Sequence, residues 1–212
     1  PEGLGIAWAR ASELANRRLL LVGSDMAVGK MTAGLEIWKS ARARGIQAEF
    51  LATGQIGIVL SGGGIALDAI RVDYAGGAVE KMVLDAADAE LAIVEGQGSL
   101  LHPGSTSTLP LLRGACPTHL ILCHRAGMTE LDTVGVTVKV PPLNEIIALY
   151  EDVASACGIY PRPVTVGIAL NTAHLNDDQA HRAISETADT TGRLVLDPVR
   201  QGCDQWVDAL MA

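Results

Sequence analysis

The stretch RLLLVGSDMAVGKMT, residues 18–32, decides the fold. Residues 18–22 read as a buried strand, a glycine loop follows at once, and residues 31–44 read as a helix that stops at Gly45, a C-cap residue. Strand, glycine loop and helix in that order form an anion cradle. Successive backbone N–H groups and the positive end of the helix face one point, and a lysine reaches the outer phosphates. The usual spacing is G-x-x-x-x-G-K-[ST]. Here five residues separate Gly23 from Gly29, Met31 stands where the Mg²⁺-holding hydroxyl normally sits, and Thr32 comes one position later. The candidate phosphate-binding residues are Gly23, Ser24, Asp25, Ala27, Val28, Gly29, Lys30, Met31 and Thr32.

Outward from this loop the chain alternates strand and helix. Strands are predicted at 48–52, 91–94, 119–123, 164–170 and 194–196, and helices at 77–87, 109–113, 143–157, 177–191 and 204–211. A short helix is predicted at 7–16. The glycine-rich stretch 56–64 leads into a helix start at 65–70. Such alternation implies right-handed β-α-β crossovers and a mostly parallel sheet. The predicted fold class is α/β: a P-loop NTPase-like, three-layer α/β/α domain over residues 19–212, with residues 1–18 as a connector. Ligands of such sheets bind beyond the C-terminal strand ends. The motifs GSDMAVGK, TGQ, EGQGS, CHRAG, LNT and DPVRQG all fall there.

Composition agrees. Hydrophobic residues make up 49% of 212 while aromatics make up 3%, so the core is aliphatic, as buried parallel strands require. The net charge of −8 comes without any basic stripe, which excludes a nucleic-acid footprint. No apolar run approaches the ~20 residues that cross a bilayer, and no signal peptide is read. The four cysteines show no C-x-x-C spacing, so neither zinc nor a redox pair is signalled. A reducing, cytoplasmic setting, a small-molecule partner and a homo-oligomeric assembly are the expectations.

Several residues at the predicted strand ends could carry chemistry. Glu95, flanked by two glycines after an aliphatic strand, stands where Mg²⁺ or an activated water is handled, and is equally a candidate general base. His102 is a second candidate base. Gln55, Gln97, Ser99, His124, Arg125 and Arg200 are candidate substrate contacts; either arginine would suit a carboxylate in a bidentate pair. Asn171 sits where P-loop proteins read a base edge. For Mg-ATP, Thr32, Asp25 and Glu95 would organise the metal.

Taken together, GSDMAVGKMT, ATGQIG, SGGGIALDAI, GAVE, VEGQGSLLHPGSTSTLPLLRG, LILCH and DPVRQG resemble the C-terminal domain of the D-glutamate N-acetyltransferase-like family. More distantly, GSD…GK and VEGQGSLL resemble dethiobiotin synthetase. Family members usually carry an additional N-terminal Rossmann-like domain. The first resemblance implies acetyl transfer from acetyl-CoA to an amino-acid amine. Lys30 would then clamp the carrier's phosphates, Glu95 or His102 would act as base, and backbone N–H groups of residues 96–99 would face the oxyanion. The second implies Mg-ATP chemistry, which Met31 weakens because a thioether is a poor ligand for a hard cation. A nucleotide-binding module without catalysis is the third reading.

Overall fold

The computed structural model describes residues 5–212. Six parallel strands form one sheet: β1 Arg17–Gly23, β2 Ala48–Leu51, β3 Leu91–Val94, β4 His119–Arg125, β5 Val164–Asn171 and β6 Val195–Leu196, in the order β2-β3-β1-β4-β5-β6. The helices are α1 Lys30–Ala43, α2 Gln55–Ser61, α3 Val72–Asp85, α4 Thr108–Ala115, α5 Leu143–Ser155, α6 Asp177–Thr191 and α7 Asp204–Met211.

Alternate residues along each strand serve opposite faces. Leu19, Leu21, Ile93, Ile121, Cys123 and Ala169 pack with α1 and α7, around Ile37 and the fully buried Trp206. Leu20, Val22, Val94, Leu122 and Leu170 pack with α3, α4 and α5, around Val79, Leu112 and Tyr150. Three layers result, and aliphatic runs buried on both faces account for the near absence of aromatics. The central strand β1 has β3 on one side and β4 on the other, so the chain reverses its direction of travel across the sheet there. Ligands of open α/β sheets bind at such a reversal.

Two segments differ from the sequence expectation. Residues 55–61 are helical, closed by Gly62 at φ +82°, whereas residues 65–70 contribute only a 3-10 turn at Leu67–Ala69. The cause lies elsewhere in the chain: the Glu95 carboxylate accepts the N–H groups of Thr53 and Gly54 and so organises the start of α2. Residues 7–16 form only a 3-10 turn, Arg10–Glu13. The buried Glu80 carboxylate on α3 takes the backbone N–H groups of Trp8 and Arg10, which holds that stretch out of a helix and against α3. No helix among the described residues is long and apolar enough to cross a membrane.

Candidate functional site

The loop between β1 and α1 has the form of an anion cradle. Gly29 takes φ +108°, a conformation that favours glycine, and turns the chain into α1. Among the described residues no protein acceptor faces the N–H groups of Ala27, Val28 and Gly29. Those of Lys30, Met31 and Thr32 belong to the first helical turn, which has no intrahelical acceptors to offer. Lys30 is buried, its Nζ donates to the Asp25 carbonyl at 2.8 Å, and burial lowers its pKa. An ammonium held inside the loop in this way is desolvated and ready for an anion.

Two buried groups brace the loop from the α5 side. Tyr150 Oη donates to the Gly23 carbonyl at 2.7 Å and accepts from Leu100 N–H at 3.0 Å, so it joins the cradle to the segment after Glu95. Tyr150→Phe leaves both partners unsatisfied. The variant is expected to lose about 2 kcal/mol of stability, read as a lower urea midpoint with unchanged slope. Ser24 Oγ lies 2.8 Å from His124 Nδ1, and burial pushes that imidazole down to about 4, with Arg125 adding to the effect. The folded state therefore keeps His124 neutral where the unfolded chain, near 6.5, takes up a proton. Its contribution is fully present above the unfolded value and is lost as pH falls through the folded one. The expected loss is about 3 kcal/mol over that window. Urea titrations at several pH values should show a shallower acid-side decline for His124→Gln.

Asp25, also buried, accepts from Met26 N–H with Oδ1 and from Asp132 N–H with Oδ2, at 2.7 and 2.8 Å. Asp132 O in turn faces His102 Nε2 at 3.0 Å, and His102 Nδ1 accepts from Gly104 N–H at 3.1 Å. Both ring nitrogens are engaged, so the lone pair that a base would use already holds a proton donor. In this arrangement His102 ties the 129–140 segment to the 96–104 loop, and acting as the expected base requires the Gly104 contact to open.

Glu95 is different. Oε2 accepts from Thr53 N–H at 2.8 Å and Gly54 N–H at 3.0 Å, whereas Oε1 has no partner among the described residues. The carboxylate fits only because position 57 lacks a side chain: a Cβ on Gly57 would lie 2.3 Å from Oε2. Gln97 lies beside Gly54, and Gln55 opens α2, its amide 3.3 Å from Asp68. Ser99 N–H is taken by Ser105 Oγ, Leu100 N–H by Tyr150 and Leu101 N–H by Ser99 Oγ. The oxyanion donors expected over 96–99 are thereby narrowed to Gly96, Gln97 and Gly98.

On the other side of the cradle, a cavity of about 430 Å³ is lined by Val28, Gly29 and Thr32, by Ala169 and Asn171 of β5, and by residues 197–200. Asn171 Oδ1 accepts from Ala173 N–H, which leaves its amide NH₂ as the group to present. The wall is rigid. Asp197 takes Thr172 N–H and Oγ and the N–H groups of Val199 and Arg200. Arg200 donates to Thr172 Oγ, Leu175 O and Asp177. Arg200 is therefore a clasp between β5 and β6, its guanidinium already engaged by groups of its own chain where a substrate carboxylate was expected. Thr32, about 100° around the helix from Met31, faces this cavity, while Glu95 lies beyond β1. Of the expected Mg²⁺ set, both Asp25 oxygens and one Glu95 oxygen already accept backbone N–H groups, and no cluster of three His, Cys, Asp or Glu side chains able to hold a metal ion occurs among the described residues. A larger cleft of about 590 Å³ along the free edge of β2 holds none of the candidate residues.

The model of the DUF1611 family, described as a domain of unknown function with a C-terminal P-loop domain, matches residues 5–207. The chain belongs to this family. A crystal structure of a DUF1611 family protein from Anabaena variabilis superposes with a TM-score of 0.96 at 51% identity, over 100% of this chain and 62% of that one. A D-glutamate N-acetyltransferase of Pseudoalteromonas is 36% identical over 90% of this chain and 57% of its own length; one of Tritonibacter scottomollicae is 37% identical over 92% and 58%. The chain thus spans about three-fifths of the length of these relatives. Cobyrinic acid a,c-diamide synthase of Mycobacterium smegmatis, at 12% identity and a TM-score of 0.51 over 82% of each chain, shares the P-loop fold. Within this DUF1611 domain the candidate groups run in strand order. Glu95 lies at β3, the cradle at β1, Arg125 at β4, Asn171 at β5, and the Arg200 clasp beyond β6.

Proposed function

We propose that this DUF1611 domain transfers an acetyl group from acetyl-CoA to the amine of a small amino acid of the D-glutamate type. The observation that carries the reading is the 36–37% identity, over nine-tenths of the chain, with two proteins named D-glutamate N-acetyltransferase. The geometry supports it. The cradle's free N–H groups and Lys30 suit a pyrophosphate, and the cavity beside Asn171 is of a size for a nucleoside. Glu95, with one oxygen fixed by two amides and the other free, suits the removal of a proton from an ammonium.

In this reading the ammonium first loses one proton through Glu95 to solvent, and Glu95 Oε1 then takes a second from the nitrogen as it bonds to the thioester carbon. The C–S bond breaks, and the departing sulfur takes up the proton from Glu95. Gly96, Gln97 and Gly98 offer N–H groups to the transient oxyanion. No covalent intermediate on the protein is needed.

Mg-ATP chemistry is the second reading, favoured by the fold shared with a P-loop synthase. Met31 counts against it, as does the engagement of both Asp25 carboxylate oxygens by backbone N–H groups. Calorimetry decides between them: acetyl-CoA binds without Mg²⁺ if the first reading holds. Mg²⁺-dependent ATP binding with no response to acetyl-CoA overturns it.

A further inference from the structure

On β4, paired with the cavity-lining Asn171, stands a cation whose side chain has no partner within the described chain. Three basic groups lie at this end of the site. Lys30 is turned into the cradle, and Arg200 is held by Asp177, Thr172 and Leu175. Arg125 is exposed, and its side chain makes no hydrogen bond or ion pair among the described residues.

Its place in the sheet fixes where it can reach. Arg125 pairs in register with Asn171, and Cys123 with Ala169. Cys123 and Ala169 pack on the α1 and α7 face, and strand alternation returns Arg125 and Asn171 to that same face, the one that bears the cavity. Paired residues on neighbouring strands stand about 4.8 Å apart, well within the reach of an arginine side chain. Glu95, in contrast, lies two strands away across β1, about 10 Å in the hydrogen-bonding direction. Arg125 therefore neighbours the nucleoside end of the site and not its reactive end. The acidic groups there, Asp177 and Asp197, both pair with Arg200, so Arg125 is the guanidinium at this end without a carboxylate partner among the described residues.

We propose that Arg125 binds the ribose 3′-phosphate of coenzyme A and so selects a CoA thioester over ATP, which lacks that group. The inference rests on the acyl-transfer reading and assigns a part of the donor that the reading leaves open. Guanidinium–phosphate pairing is charge-assisted and bidentate, and an exposed pair is salt-screened.

The test is calorimetry with CoA and with 3′-dephospho-CoA, on the wild-type chain and on Arg125→Gln, at low and at high salt. The wild type is expected to bind CoA about tenfold more tightly than dephospho-CoA at low salt, with the gap narrowing as salt rises. Arg125→Gln is expected to erase the gap by weakening CoA alone, with an unchanged thermal midpoint because the side chain is exposed. Equal affinity of the wild type for both ligands overturns the inference while leaving acyl transfer standing. So does a preference that survives in Arg125→Gln, or an effect confined to the KM of the amino acid, which would make Arg125 a carboxylate grip. If the wild type binds neither form of CoA, the acyl-transfer reading falls and the inference with it.

Discussion

Lys30→Met is expected to weaken acetyl-CoA binding about a hundredfold, the equivalent of two charge-assisted hydrogen bonds. The reason is local. Lys30 is the cation inside the cradle, already desolvated and held against Asp25 O, so a bound phosphate gains its full charge without first stripping it of water. Methionine keeps the apolar stem and removes only the ammonium. Because burial disfavours the charged lysine in the folded chain, the variant is expected to melt at or above the wild-type temperature. That combination, lost ligand with retained stability, distinguishes a binding role from a folding role. Titration calorimetry and a thermal melt on the same preparation check it. Wild-type affinity in Lys30→Met would mean that the cradle does not hold the donor.

Glu95→Gln is expected to lower turnover by about 10²–10⁴ while changing donor affinity less than about threefold. Glutamine can still accept the Thr53 and Gly54 N–H groups, so the start of α2 stays formed and the loss is one of proton transfer. The split between turnover and donor binding is the diagnostic reading, because disruption of α2 would move both. Turnover within a few-fold of wild type would remove Glu95 from the chemistry. His102→Gln provides the contrast: with both ring nitrogens engaged it should affect loop order more than rate.

The central fold was legible because its signals are local. An aliphatic run followed by a glycine loop and an apolar-periodic helix specifies β1, the cradle and α1 with little help from the rest of the chain. The predicted strands at 91–94 and the helices at 177–191 and 204–211 match their observed bounds. Failures arose where distant residues decide. The helix α2 was hidden in a glycine-rich stretch because its start is organised by Glu95, some forty positions away, and its Gly57 is there to admit that carboxylate. Residues 7–16 lost their predicted helix to Glu80. No local pattern links Tyr150 to Gly23 or Asp132 to Asp25, so the bracing of the loop was not readable.

The site divides in the same way. Residue types at strand ends pointed to Lys30, Glu95 and Asn171, and the structure disposes these along one edge of the sheet in an order that the strand permutation alone dictates. Arginine, in contrast, looks alike in sequence whether free or engaged. Arg200 and Arg125 both suggested a carboxylate partner; the first is held by its own chain, and the second pairs in register with Asn171. A one-residue offset had a similar effect in α1, where Thr32 lines the cavity beside Asn171.

The most direct test of acetyl transfer is to incubate the chain with acetyl-CoA and D-glutamate, without nucleotide, and to follow free thiol and N-acetylated product together. Equimolar release of CoA and formation of N-acetylglutamate are expected, abolished by omission of either substrate and strongly reduced in Lys30→Met and Glu95→Gln. Absence of thiol release, with amino-acid-dependent hydrolysis of Mg-ATP in its place, would contradict acetyl transfer.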